Sequence, residues 1–135
     1  MNILFIDDDV KRNLPLVRNL EYGQGWKVNQ QRSPKSALQA LRGEAKFDFI
    51  LLDVMMPPDE IVDRERSNLG QSTGLLLMEK IYEITQGKIP IVILSARQDL
   101  QEILTRDKRV KAYLKKTMSE KEIIATIKEA LPAKS

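Results

Sequence analysis

Apolar and polar positions alternate in blocks along the chain. Asn2-Ile-Leu-Phe-Ile6 is an unbroken apolar run that stops at Asp7, the pattern of a short strand buried on both faces. Leu14, Leu16, Val17 and Leu20 follow at helical spacing, with Pro15 inside the stretch, so this helix either starts late or bends. Gly23 and Gly25 close it, and Trp26-Lys-Val28 reads as a short second strand. Ser33-Pro34 is an N-cap with proline at the first helical position, opening a helix with Ala37, Leu38 and Leu41 on one face. Phe47 to Leu52 predicts a third strand, again ending in an aspartate, Asp53. Leu75 to Ile84 predicts a helix ended by Gly87, and Ile89 to Leu94 a strand whose Pro90 suits only its first residues. Gln98 to Thr105 is a weaker helix and Val110 to Leu114 a fifth strand. Ser119-Glu-Lys-Glu122 is a capping box before Ile123, Ile124, Ile127 and Leu131 of a last helix.

One segment breaks the rhythm. Between Pro57 and Gly74 lie 16 polar-rich residues, where a connection in a compact domain usually has about 4–6. Strands alternating with helices, without a repeat, predict a single α/β domain over residues 1–135. The expected architecture is a doubly wound, five-stranded parallel sheet with helices on both faces and a polar insertion at about residues 58–73. The insertion reads as a surface loop that does not hold the fold together.

Composition narrows the chemistry. The chain has no cysteine and no histidine, which removes disulfides, thiolate zinc sites, a Ser-His-Asp triad and imidazole ligation. Acid–base or metal chemistry must then run on carboxylates, lysines and hydroxyls. A net charge of +3 is modest, although residues 1–85 carry 11 basic and 13 acidic side chains and residues 86–135 carry 11 and 6. Nucleic-acid binding is not expected from that balance. No apolar run approaches the ~20 residues that cross a bilayer and no leader pattern is visible, so a cytoplasmic protein without a membrane partner is expected.

In a parallel sheet, ligands gather outside the carboxyl ends of the strands, near the point where strand order reverses. Those ends here carry Asp7-Asp8-Asp9, Asp53, Ser95 and Lys115-Lys116. Each has an ordinary structural explanation by itself: helix-dipole charge, an Asx turn, an N-cap, a solvated pair. Together they place several carboxylates face to face, which raises their pKa values unless a cation intervenes. Oxygen-only ligation suits Mg2+, and lysine and hydroxyl donors beside it suit a phosphoryl group.

Four segments carry a family resemblance: Ile3-Leu-Phe-Ile-Asp-Asp-Asp9, Phe49-Ile-Leu-Leu-Asp-Val-Met-Met-Pro57, Pro90-Ile-Val-Ile-Leu-Ser-Ala96 and Ala112-Tyr-Leu-Lys-Lys-Thr117. Through them the chain resembles the receiver domain of two-component response regulators over nearly its whole length. The resemblance implies a flavodoxin-like fold and Asp53 as phosphoacceptor, a carboxylate nucleophile. It implies Mg2+ held by Asp7, Asp8, Asp53 and the backbone carbonyl of Met55. It implies Ser95 as the switch hydroxyl, Tyr113 as the aromatic switch, and Lys116 over Lys115 as the active-site lysine. The implied phosphodonor is a histidine kinase or a histidine phosphotransfer protein. Output from a stand-alone receiver would then pass to an unidentified downstream protein, and the domain catalyses only its own phosphorylation and dephosphorylation.

Departures from the family pattern qualify that expectation. Thr117 stands where proline usually follows the lysine, in a peptide bond that is commonly cis. A non-proline cis bond costs ~3 kcal/mol, so Lys116 is expected to be aimed less rigidly. Arg109-Val110-Lys111-Ala112 lacks the small Gly-Ala usually found there, and the insertion is much longer than its family counterpart. Met55 and Arg97 occupy the two positions flanking the line of attack on an aspartyl phosphate. Met55 has no group with which to orient a water, and Arg97 either pairs with phosphoryl oxygens and holds them or lies in solvent, so slow self-dephosphorylation is expected. Two other classes compete. An aspartyl-nucleophile Mg2+ phosphatase needs a second aspartate where Met55 stands. A phosphorylation-independent interaction module would have had no use for Asp7, Asp8, Asp53, Ser95 and Lys116 together.

Overall fold

A computed structural model describes residues 1–9, 11–54, 73–96 and 101–131. Five strands, β1 (Asn2–Ile6), β2 (Lys27–Gln31), β3 (Phe49–Asp53), β4 (Ile91–Ser95) and β5 (Val110–Lys115), form one sheet in the order β2-β1-β3-β4-β5. All four pairings are parallel. The helices are α1 (Leu14–Arg18), α2 (Pro34–Arg42), α3 (Thr73–Thr85), α4 (Gln101–Thr105) and α5 (Glu120–Ala130). The doubly wound parallel sheet expected from the alternating blocks is what forms. No helix among the described residues is long and apolar enough to cross a membrane.

Side-chain alternation on the central strands builds two cores. Leu4, Ile6, Ile50, Leu52, Ile91 and Ile93 pack toward α2, α3 and α4, against Leu38, Leu77, Ile81 and Leu104. Ile3, Phe5, Phe49, Leu51, Val92 and Leu94 pack toward α1 and α5, against Leu16, Val17, Leu20, Ile123 and Ile127. That two-sided burial is why β1, β3 and β4 are continuous apolar runs with no polar face.

The element boundaries differ from the sequence expectation in instructive places. β2 runs on to Gln31 through Asn29 and Gln30, because pairing with β1 on one side supplies what its polar composition does not suggest. Pro15 lies in the first turn of α1, where its missing N–H is not needed, so this helix starts late and does not bend there. It then loosens into a π turn over Asn19–Gly23, closed by the Gln24 N–H donating to the Asn19 carbonyl at 3.2 Å. Ser33 caps α2 as expected, its hydroxyl accepting from the Ser36 N–H at 3.2 Å. Ser119 caps α5 through the Glu122 N–H at 3.1 Å, while its own hydroxyl donates to Glu122 Oε1 at 3.1 Å. The box is thus closed between side chains on its second arm.

β5 contains the irregularity with the largest consequence. Ile91 pairs with Val110, but Val92 pairs with Ala112, so Lys111 is an extra residue. Such a bulge reverses which face the following side chains occupy. Val110 accordingly joins the core under α3 and α4, whereas Leu114 joins the core under α1 and α5. In a regular strand these two would share a face. The bulge also sets Ser95 opposite Lys115 and leaves Lys116 as the first residue beyond the ladder.

Candidate functional site

The carboxyl ends of β1, β3, β4 and β5 lie side by side, and each delivers one part of the site. Ile6 pairs with Leu52, which brings Asp7, the next residue, level with Asp53. Both are almost fully buried, at 3% and 2% exposure. Lys116 projects from the turn after β5 with its ammonium 3.1 Å from Asp7 Oδ2 and 3.4 Å from Asp53 Oδ2. Its peptide bond to Thr117 is trans. The aim of Lys116 comes from main-chain anchors on both sides: its N–H donates to the Ser95 carbonyl at 2.9 Å, and the turn closes through the Met118 N–H on the Lys115 carbonyl at 3.0 Å.

The acidic triplet divides its labour. Asp7 Oδ1 accepts the Asp9 N–H at 3.0 Å, and Asp9 Oδ1 accepts the Arg12 N–H at 3.2 Å. The Asn13 side-chain amide donates to the Asp9 carbonyl at 2.9 Å. These bonds fold the loop on itself, so Asp9 has a turn-forming role and points its chemistry at the backbone. Asp8, half-buried, completes an acidic cluster: one carboxylate oxygen from each of Asp7, Asp8 and Asp53 lies within 4.8 Å of the others.

Electrostatically the cluster is unfinished. Among the described residues, three carboxylates face one ammonium at the end of an apolar sheet. Burial, and then the neighbouring Asp7 charge, push the Asp8 carboxyl above its ordinary value. For Lys116, burial pulls downward, but the charges of Asp53 and Asp7 outweigh it and the net direction is upward, so it stays an ammonium. The Lys116–Asp7 contact lacks hydrogen-bond alignment, and Asp7 Oδ2, fully buried, has no hydrogen-bond donor among the described residues. A buried carboxylate oxygen without a donor, in an oxygen-only set of three, fits a small hard dication that keeps part of its water shell.

Ser95 ends β4 with 1% exposure, one strand from Asp53. Tyr113, opposite Ile93 on β5, is half-buried against the core on the α4 side. The structure therefore brings Asp7, Asp8, Asp53 and Lys116 together, with Ser95 on the adjoining strand end and Tyr113 farther down β5. Met55, Arg97 and the insertion up to residue 72 lie outside the described residues, and with them the carbonyl ligand and the expected control of hydrolysis.

Two contributors are not among the site residues expected from sequence. One is the Lys111 bulge, which has no compositional signature. The other is Gly74 in the first turn of α3, whose N–H donates to the Val54 carbonyl at 2.8 Å, directly after Asp53. Its only signal is a glycine immediately before the helical pattern that begins at Leu75.

Comparison with known proteins agrees with this geometry. Residues 3–128 match the family described as the response regulator receiver domain. A CheY-like receiver domain protein from Methanospirillum hungatei is similar in fold, with a TM-score of 0.73 at 20% identity over 96% of this chain and 92% of that one. A two-component response regulator from Clostridium difficile gives 0.73 at 23% identity, covering 97% and 95% of the two chains. A response regulator from Thermotoga maritima, solved in complex with Mg2+–BeF, gives 0.71 at 20% identity over 96% and 98%. No curated protein matches the chain. With the family match spanning nearly all of the sheet and its acidic strand ends, the chain belongs to the response regulator receiver domain family.

Proposed function

We propose that this receiver domain accepts a phosphoryl group on Asp53 in an Mg2+-dependent reaction and signals by altered binding to another protein. The observation that carries this reading is the Lys116 ammonium held within 3.1 and 3.4 Å of two buried carboxylates that share an acidic cluster with Asp8. A structural ion pair would be neutral; this one is arranged to receive a cation and then an anion.

The chemistry follows from the residues. An Asp53 carboxylate oxygen attacks phosphorus in line as the donor's P–N bond breaks, and the donor's imidazole, now without the phosphoryl group, departs with the electron pair of that bond and is protonated. The donor histidine belongs to a histidine kinase or a phosphotransfer protein, since this chain has none. Asp7, Asp8 and Asp53 would hold Mg2+, with the Met55 carbonyl a further ligand; the ion would neutralise charge on the phosphoryl oxygens. Lys116, already poised over Asp53, donates to one of those oxygens and stabilises charge as it develops. The Ser95 hydroxyl, at the end of the neighbouring strand, donates to another. Drawing Ser95 toward the phosphoryl group changes the packing beside Tyr113, and the face of α4 and β5 is remodelled. On this reading the chain is one receiver domain that carries the 58–73 insertion, and it works in the cytoplasm.

The test is phosphorylation by acetyl phosphate and Mg2+, with intact-mass analysis of the parent and of Asp53→Asn. We expect a single acid-labile phosphate on the parent and none on the variant. Equal incorporation into the variant would remove Asp53 from the role. A parent that takes up no phosphate and shows no Mg2+-dependent response to beryllofluoride would identify an inert interaction module instead.

A further inference from the structure

We infer that Gly74 is a positioning residue for the phosphoacceptor: the helix-opening glycine fixes the main chain of Asp53 and Val54, and with it the carboxylate that receives the metal and the phosphoryl group. This rests on the reading of Asp53 given above. A Cβ built on Gly74 would lie 2.4 Å from Val54 Cα, 2.5 Å from the Asp53 carbonyl oxygen and 2.9 Å from the Val54 carbonyl carbon. All three neighbours are backbone atoms, so no side chain can swing aside to make room. The contrast with Gly87 is informative. There the backbone sits at a φ of +69° and the nearest atoms are the tip of the Tyr82 ring, at 3.0 Å; conformation is what calls for glycine. At Gly74 close approach is what calls for it.

The approach is made along a bond that matters. The Gly74 N–H donates to the Val54 carbonyl at 2.8 Å, so the first turn of α3 grips the peptide that follows Asp53. Gly74 and Val54 are both fully buried, and α3 is itself held by Leu77, Met78 and Ile81 in the core. A rigid helix thus clamps the outlet of β3 at the residue where the carboxylate must be held to within fractions of an ångström. Any side chain at position 74 pushes the main chain at Asp53 and Val54 and the helix apart.

The experiment compares Gly74→Ala with Leu77→Ala, a core truncation in the same helix that leaves the Gly74–Val54 hydrogen bond and the close backbone approach in place. Both lower the melting temperature. We expect Gly74→Ala also to weaken Mg2+ binding about tenfold, read with Mg2+ alone by titration of the folded protein, and to slow phosphorylation by acetyl phosphate ten- to a hundredfold, as misplacement of a reacting group does. Leu77→Ala is expected to keep the parent's Mg2+ affinity. Equal Mg2+ affinities in the two variants would overturn the inference and leave Gly74 a packing residue. If Gly74→Ala does not fold, Gly74→Ala combined with a stabilising osmolyte supplies the folded state for the same titration, and the parent's Gly74 amide resonance gives a second measure. That resonance should move during the Mg2+ titration with the same midpoint as Asp53, and a stationary resonance would overturn the inference. Asp53→Ala separates the two failures: full Mg2+ affinity in that variant would sink the reading of the site itself, and this inference with it.

Discussion

Two charge clusters at opposite ends of β5 have the same ingredients and opposite characters. Before the strand, Asp107 and Arg109 close on each other: Nη2 reaches Oδ2 at 2.7 Å, and Nε and the Arg109 backbone N–H reach Oδ1 at 3.0 and 2.9 Å. After it, Lys116 faces Asp7, Asp53 and the nearby Asp8. The first pair is one acid against one base, bidentate and complete. The hydrogen bond to Arg109 leads in holding the Asp107 carboxyl below its ordinary value, while burial and Asp7 hold Asp8 above. The difference separates structure from function. A pair that satisfies itself stabilises the native chain and has nothing left to offer; on the function proposed above, a cluster that costs stability without a ligand is kept for the ligand.

The comparison is tested most severely at Lys116, the one positive charge in the cluster among the described residues. Lys116→Ala leaves Asp7 and Asp53 buried without it. Removing one partner of a buried pair costs about 3–5 kcal/mol, and losing a donor to the transferred phosphoryl group slows phosphorylation by about 10²–10³-fold. Lys115→Ala, one residue away at the end of the ladder opposite Ser95, is expected to change stability by no more than about 0.5 kcal/mol and to leave phosphorylation unchanged. Chemical denaturation and acetyl phosphate kinetics on both variants decide it. Two variants of equal effect would mean that the bulge does not select the lysine.

That selection also marks the limit of what the sequence makes legible. The apolar runs 2–6 and 49–52 announce buried strands because nothing polar interrupts them, and their terminal aspartates announce the site. Lys116 is readable only through resemblance, because strand alternation counted from Val110 places its neighbours on the wrong face; the Lys111 bulge depends on pairing with β4, which is not local. β2 extends through Asn29 and Gln30 for a similar reason, tertiary pairing overriding composition. Gly74 is visible as a helix start, but a close approach of two backbones from residues twenty apart has no local code. Asp9 reads like its two neighbours and proves to serve the loop, since an aspartate at a turn and an aspartate at a metal look alike in sequence.

The cost of the unfinished cluster is measurable at Asp8. Because its carboxyl is raised above the ordinary 3.8, its charged form is disfavoured in the native state. Metal-free stability should therefore rise as pH falls through the folded value toward the unfolded one, the opposite of an ordinary paired carboxylate. Asp8→Asn should be more stable than the parent at neutral pH without metal, and should lose that pH response. With Mg2+ the order reverses: the parent gains ~1.4 kcal/mol at about ten times Kd, and the variant gains little. Thermal melts with and without Mg2+ at two pH values are sufficient. A variant less stable than the parent in the absence of metal would show that Asp8 is held by contacts and not strained by charge.

Asp107 supplies the smallest and most specific check. Its carboxyl lies below 3.8 with Arg109 as the leading cause, so the sign is the reverse of Asp8. The pair's stabilisation is present above the unfolded value and is lost as pH falls through the folded one. Both side chains are partly exposed, at 20% and 30%, which screens the interaction, so Asp107→Asn should cost about 0.5–1 kcal/mol at neutral pH. That loss should shrink below pH 4, where the parent's own pair is being protonated. Mg2+ affinity and the rate of phosphorylation should stay at parental values throughout, because the pair sits at the far end of β5 from Lys116. If Asp107→Asn instead changed the Mg2+ response, the two clusters would be coupled along the bulged strand, and the division between a closed structural pair and an open functional one would have to be given up.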